Sequence, residues 1–407
     1  DALFFDANGD GQLDLYIVSG GVEGGSRAGA YRDRLYMNTG RGIASAPAGS
    51  LPDSDFSGGV VAAGDCDGDG DLDLFVGCRV VPGQYPKSAA SRLWLNDGAG
   101  RFSDATQELA PQLSEAGMVT DAVWSDSDGD GDLDLLVTTE YGPIRFFQND
   151  AGALREATAD AGLASVLGWW TRIEPGDFDN DGDTDYVLGN FGLNTKYHPT
   201  PEKPQLLFYG AFGAGGTANI VEAHPDNDGH LVPNRGRSCS SDAMPFIAEK
   251  FGNFHEFAVA DLGAIYTPPK LESAYRLEAN QLASGVLLNG GRGRFEFRPL
   301  PPLAQVAPCF GLAVLDADAD DNLDIYVSQN FYSPQRETGR MAGGLGALLL
   351  GNGDGSFRAV WPADSGIIVP DDARSAVAID LNDNQRPDLA IAVNNGAVRI
   401  FLNGIQR

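Results

Sequence analysis

Short apolar runs recur along the chain, each entered and left through small or acidic residues. One instance reads GDCDGDGDLDLFVG, from Gly64 to Gly77. Alternating apolar residues precede it and Leu74-Phe75-Val76 follows, which predicts strand, acidic loop, strand. The pattern returns in FFDANGDGQLDLYIV (4–18), WSDSDGDGDLDLLV (124–137), GDFDNDGDTDYVLG (176–189), LDADADDNLDIYV (315–327) and IDLNDNQRPDLAIAV (379–393). Downstream of most copies lies a second hairpin signal: RLYMNTGRG (34–42), RLWLNDGAGRF (92–102), IRFFQNDAGAL (144–154), GVLLNGGRGRF (285–295) and ALLLGNGDGSF (347–357). Asn-Asp-Gly and Gly-Asn-Gly turns favour the positive φ that tight hairpins need. One repeat is therefore four antiparallel strands, with the acidic loop joining the first two.

The first loop aspartates stand at 6, 65, 126, 177, 316 and 380. The gap from 177 to 316 is too long for one repeat. Inside it YGAFGAGGTANIVEA (209–223) keeps the frame, with Ala211, Gly213, Gly215 and Asn219 at the acid positions. The expectation is an all-β chain, a seven-bladed β-propeller of four-stranded antiparallel blades occupying 1–407 as a single domain. A partly helical insertion in blade five is expected over 222–280. There Ser241-Asp242-Ala243-Met244-Pro245 and Thr267-Pro268-Pro269 look like helix starts.

Charge sharpens the picture. Among 407 residues, 57 are acidic and 28 basic, a net charge of −29. That disfavours nucleic acid as a partner and favours cations. No run of about 18 apolar residues exists to span a membrane. Asp1 falls in what reads as mid-strand, so an upstream segment removed from the sequence is expected. Four cysteines, Cys66, Cys78, Cys239 and Cys309, are too few and scattered for a disulfide framework; a Cys239–Cys309 bridge is left open.

The loop pattern is D-x-[DN]-x-[DN]-G-x-x-D. Side-chain oxygens at positions 1, 3, 5 and 9, with the carbonyl of position 7, make a cage for a hard cation, and calcium suits it better than magnesium. The ligand sets are Asp6, Asn8, Asp10, Gln12 and Asp14; Asp65, Asp67, Asp69, Asp71 and Asp73; Asp126, Asp128, Asp130, Asp132 and Asp134; Asp177, Asp179, Asp181, Asp183 and Asp185; Asp316, Asp318, Asp320, Asn322 and Asp324; and Asp380, Asn382, Asn384, Arg386 and Asp388. Crowded like charges repel without a counterion. Five or six calcium ions are expected, the last loop binding most weakly. Asp321 replaces the sixth-position glycine, which Asp tolerates because it visits the left-handed region. Calcium is scarce in cytosol, so the expected location is extracellular, cell-surface or periplasmic.

On these six loops, on GWWTRIEPGDFDNDGDTDYVLGNFGLNTKY (168–197) and on 276–301, the chain resembles the FG-GAP/VCBS-repeat propellers, whose loops are like those under the integrin α-subunit head. More closely it resembles bacterial VCBS proteins related to cartilage acidic protein, many of which carry an ASPIC/UnbV segment; residues 1–407 show none. The resemblance implies a binding, adhesion or assembly module, with a carbohydrate-active lyase or dehydratase as the alternative, its site in the funnel under 222–280.

Strand-one starts and strand-two ends gather on the face opposite the loops. Candidate ligand residues there are Arg79, Trp169, Trp170, Asn194 and Arg374, with Arg235 and Arg237 at the base of the insertion. A protein or glycan partner is expected on this face. The bland reading makes Trp169 and Trp170 core packing. Catalytic signals are poor: His198, His224, His230 and His255 show no ligand spacing, and no GxSxG elbow occurs. HPDND (224–228) hints at an extra cation site. Residues 397–403 match a third strand with only Gly404 to Arg407 after them. Blade seven should therefore lack its outer strand and be open to strand addition.

Overall fold

The structure is a computed structural model that describes residues 1–25, 27 and 29–404. The chain is mostly β, with seven antiparallel sheets and short helices, the make-up of a seven-bladed propeller. Among the described residues no sheet closes on itself. The first sheet is Ala2–Phe5, Asp14–Ile17, Arg34–Asn38 and Ile43–Ser45, each strand paired with the next. The second runs Gly58–Gly64, Asp73–Cys78, Arg92–Asn96 and Phe102–Asp104, and the sixth Cys309–Leu315, Asp324–Gln329, Ala347–Gly351 and Phe357–Val360. The third builds on Met118–Ser125, Asp134–Pro143, Arg145–Asp150 and Ala153–Glu156, with Leu167–Trp169 as a short fifth strand. The seventh has three strands among the described residues: Ala373–Ile379, Asp388–Val393 and Arg399–Phe401. Residues 405–407, part of the tail expected to be too short for a strand, lie outside the described residues.

The fourth sheet departs from simple repetition. Arg172–Gly176 and Asp185–Gly189 are completed by Gly285–Asn289 and Phe295–Pro299, so residues 190–284 intervene between its second and third strands. The hairpin at 285–295 thus belongs to the fourth acid loop. Two compact units result: 1–165, 169–195 and 283–407 form one, and 166–168 with 196–282 form the other.

In the larger unit six sheets follow one another through packed faces. Val61, Leu74 and Trp94 of the second sheet pack with Phe5, Tyr16 and Leu35 of the first. On its other face Val60, Phe75 and Leu93 meet Val119, Leu135 and Val137 of the third. Val187 and Val286 of the fourth sheet lie with Leu312 and Ile325 of the sixth, and Ala313 and Tyr326 of the sixth with Ala376 and Leu389 of the seventh. Strands buried on both faces explain why Asp73–Cys78 is apolar without alternation.

The smaller unit holds the fifth sheet and five short helices between Arg237 and Glu272. Its order is Leu231–Pro233, Asn219–Pro225, Gln205–Gly210, Tyr275–Ala279. The loop carrying Ala211, Gly213 and Gly215 therefore joins the two central strands, whereas the acid loops join an edge strand to its neighbour. Phe208, Phe212, Ile247, Phe257, Leu262 and Tyr266 form its core.

Candidate metal centres

Each acid loop is shaped by its own aspartates. The first-position carboxylate (Asp6, Asp65, Asp126, Asp177, Asp316, Asp380) accepts the backbone N–H of the sixth residue at 2.7–3.2 Å. That bond curls the chain back and puts the sixth residue in the left-handed region: Gly70 has φ +95°, Asp321 +68° and Gln385 +63°. Asp321 thus takes the conformation anticipated for it.

The ninth-position aspartate has a second job that the ligand reading overlooked. Asp14, Asp73, Asp134, Asp185, Asp324 and Asp388 are fully buried. Oδ2 of each accepts the N–H of the loop's second residue, and Oδ1 accepts an N–H at the end of the third strand, all at 2.6–3.1 Å. One carboxylate thereby ties loop, second strand and third strand. Burial pushes Asp73 up to about 6 and Asp134 up to about 7, although the backbone donors oppose it.

Ligand-type oxygens converge in four loops. One oxygen each of Asp65, Asp67 and Asp73 lies within 4.8 Å of the others, as do those of Asp126, Asp128 and Asp130, of Asp177, Asp179 and Asp185, and of Asp316, Asp318 and Asp320. The third-position carboxyls Asp67, Asp179 and Asp318 sit above the ordinary carboxylate range, chiefly through burial and then through the neighbouring fifth-position charge. In the fourth loop, Oδ1 of Asp177 and Oδ1 of Asp179 are buried with no hydrogen-bond partner. Buried anionic oxygens without donors are costly, and a hard cation satisfies them. The residues present fit one. In the first and last loops Asn8, Asn382 and Asn384 replace carboxylates, and neither loop contributes a group of three acids among the described residues. A further group, Asp226, Asp228 and His230, stands in the smaller unit at the HPDND stretch.

Neighbouring sheets are fastened at the loops. Asn96 Nδ2 donates to the Ala7 carbonyl of the preceding sheet at 2.9 Å, Asn149 to Cys66 at 2.8 Å, Asn289 to Ser127 at 2.8 Å and Asn403 to Ala317 at 2.9 Å. Between the fourth and sixth sheets the Gly355 N–H donates to the Phe178 carbonyl at 3.0 Å. The acceptor is always the second residue of an acid loop. Sequence reading saw these asparagines only as turn formers; their recurrence at the end of every third strand but one was the available signal.

The opposite ends of the strands line a cavity of about 870 Å³ in the larger unit, with Arg34, Arg79, Thr120, Glu140, Trp169, Trp170 and Phe310 in its wall. Arg79 is half exposed and paired with the buried Glu140, whose other oxygen accepts the Tyr85 hydroxyl at 2.6 Å. Glu140 lies outside every motif and was missed. Trp170 is fully buried and donates Nε1 to the Gly142 carbonyl; Trp169 stacks on Phe191 with ring centroids 4.0 Å apart. Trp170 is thus core packing, whereas Trp169 is only partly buried in the cavity wall. Arg374 pairs with Asp372 and lies over Phe310, and Asn194 donates to the Val306 carbonyl. In the smaller unit Arg235 pairs with Glu222 at 2.9 Å and Arg237 donates to the Phe251 carbonyl. None of the four cysteines is in a disulfide, so no Cys239–Cys309 bridge forms.

Fold and loops define a repeat protein of the β-propeller type with acidic, cation-compatible hairpin loops. Residues 6–76, 84–137 and 126–188 match the family model described as FG-GAP-like repeat. No curated protein matches the chain. Among solved structures it is similar to BBS1N in complex with ARL6DN (10% identity, 98% of this chain and 76% of that one, TM-score 0.40). It is also similar to the V. cholerae biofilm matrix protein Bap1 (11% identity, 97% and 84%, TM-score 0.32), and to the Bacillus licheniformis rhamnogalacturonan lyase PL11 (12% identity, 90% and 65%, TM-score 0.33). Among the described residues no helix is long and apolar enough to cross a membrane.

Proposed function

We propose that the chain is a calcium-stapled binding and assembly module that works outside the cytosol, of the cartilage-acidic-protein-like type its sequence resembles. The observation that carries this reading is the convergence of three carboxylate oxygens within 4.8 Å in four loops of one design. The unpartnered buried oxygens of Asp177 and Asp179 support it. In each loop the side chains at positions 1, 3, 5 and 9 and the carbonyl of position 7 hold the ion, the ninth aspartate also tying the loop to its strands. Calcium supplies the charge that lets these carboxylates crowd together; the chain supplies a hairpin already curled to receive it. The face opposite the loops, around Arg79 and its cavity, takes a protein or glycan partner.

Binding to the folded state alone stabilises it, by about 2.7 kcal/mol per site at one hundred times Kd. Saturating several loops therefore raises Tm by about 10 °C or more. Thermal unfolding in millimolar calcium against excess chelator tests this. Equal melting temperatures would contradict the reading.

A further inference from the structure

We propose that the outward faces of the first and seventh sheets are the two walls of a site for one further sheet of the same repeat, brought by polypeptide other than residues 1–407. The first sheet packs Phe5, Tyr16 and Leu35 against the second sheet and leaves its other face open, with Phe4 58% and Ile43 54% exposed. The seventh sheet packs Ala376, Leu389 and Ile391 against the sixth and leaves Val377, Ile379 and Ile400 about half exposed or more. Pairing register makes the comparison direct. Ile400 opposes Ala390 as Leu93 opposes Phe75, yet Leu93 is completely buried and Ile400 is 57% exposed. Likewise Phe4 and Leu15 occupy the places of Ala63 and Leu74, and Leu74 is completely buried.

The polar fastening says what the occupant is. At four of the five junctions an asparagine closing a third strand donates to the second-residue carbonyl of the preceding acid loop. Two halves of that fastening are left over, one on each open face. Asn38 closes the third strand of the first sheet, but its backbone N–H goes to Asp14 and its side-chain oxygen to Gly40; among the described residues its side-chain nitrogen reaches no loop. Leu381 is the second residue of the last acid loop, and no side-chain amide reaches its carbonyl among the described residues. An inserted sheet of this repeat brings both missing halves: a loop carbonyl for Asn38 and a third-strand asparagine for Leu381. A second copy of the chain is the poorer occupant. Head-to-tail contact between copies satisfies one face per contact and leaves open faces at both ends. A single sheet covers both walls at once.

The test uses the full chain in a Cys239→Ser background, with Phe4→Cys or Ile400→Cys as reporter. A copy of the second repeat, residues 52–110, is joined ahead of Asp1 by a flexible linker; a second fusion carries residues 112–165 instead. In the unfused chain both reporters react freely with a maleimide. In a fusion both are slowed about tenfold or more, as expected for burial, while the protein stays monomeric. Reporters that remain open in both fusions overturn the proposal, as does protection at only one of the two positions. Protection of the unfused chain that rises with protein concentration overturns it in favour of a second copy.

Discussion

At the scale of single residues, the acid loop puts the same side chain to two uses. Carboxylates at positions 1 and 3 converge with that of position 5 or position 9 in four loops, and the buried ninth aspartate also accepts two backbone N–H groups. The sixth residue bears the cost of the turn. Gln385, at φ +63°, holds a conformation that costs a non-glycine residue roughly 1–2 kcal/mol. Gln385→Gly is expected to stabilise the chain by about 1 kcal/mol, read as a rise in the urea midpoint with unchanged slope; a fall would show that the Gln385 side chain contributes a contact. Away from the loops, burial raises Asp121 to about 6 in spite of Arg172 at 3.3 Å. Its folded value lies above its ordinary 3.8, so its favourable contribution is complete below about 4 and is lost as pH rises through about 6. The stability of the wild type relative to Asp121→Asn should therefore fall between pH 4 and 6. A difference that stays flat over that interval would contradict the assignment.

At the scale of elements, hairpins and junctions carry the architecture, and sequence exposed the two unequally. The loops and their flanking strands were legible because a fixed nine-residue spacing and a two-residue apolar period are local signals. The fourth sheet was not, since Asp185–Gly189 pairs with Gly285–Asn289 across an insertion of 190–284 and no local pattern reports a pairing so distant. Glu140 was missed for the same reason: its partners Arg79 and Tyr85 lie 61 and 55 residues away. The asparagine fastening hid inside turn chemistry. Asn149 Nδ2 serves the carbonyls of Cys66 and Leu133 together, both at a buried junction. Asn149→Ala should cost about 1–3 kcal/mol, because two carbonyls lose a donor. Asn38→Ala, on the open face, should cost less than half as much. Chemical denaturation of both variants checks the ordering, and equal losses would remove the junction from the account.

At the scale of the whole molecule, a net charge of −29 opposes compaction unless cations neutralise part of it. The acidic clusters stand at equivalent points of their sheets, so on the proposed reading each ion would fix one hairpin and, through the second-residue carbonyl, its junction with the next sheet. Stability and metal occupancy are then one property. The chain carries about six such loops of graded quality: four with converging carboxylates, one with Asn8, and one with Asn382 and Asn384 beside only Asp380 and Asp388. Calcium titration of the metal-free chain, followed by calorimetry with ion counting by native mass spectrometry, tests this most directly. The account predicts at least four tight calcium ions per chain, with weaker binding beyond them in the first and last loops, of which Asp380→Asn removes the last loop's share without touching the tight class. A chain that binds one ion or none under these conditions contradicts it.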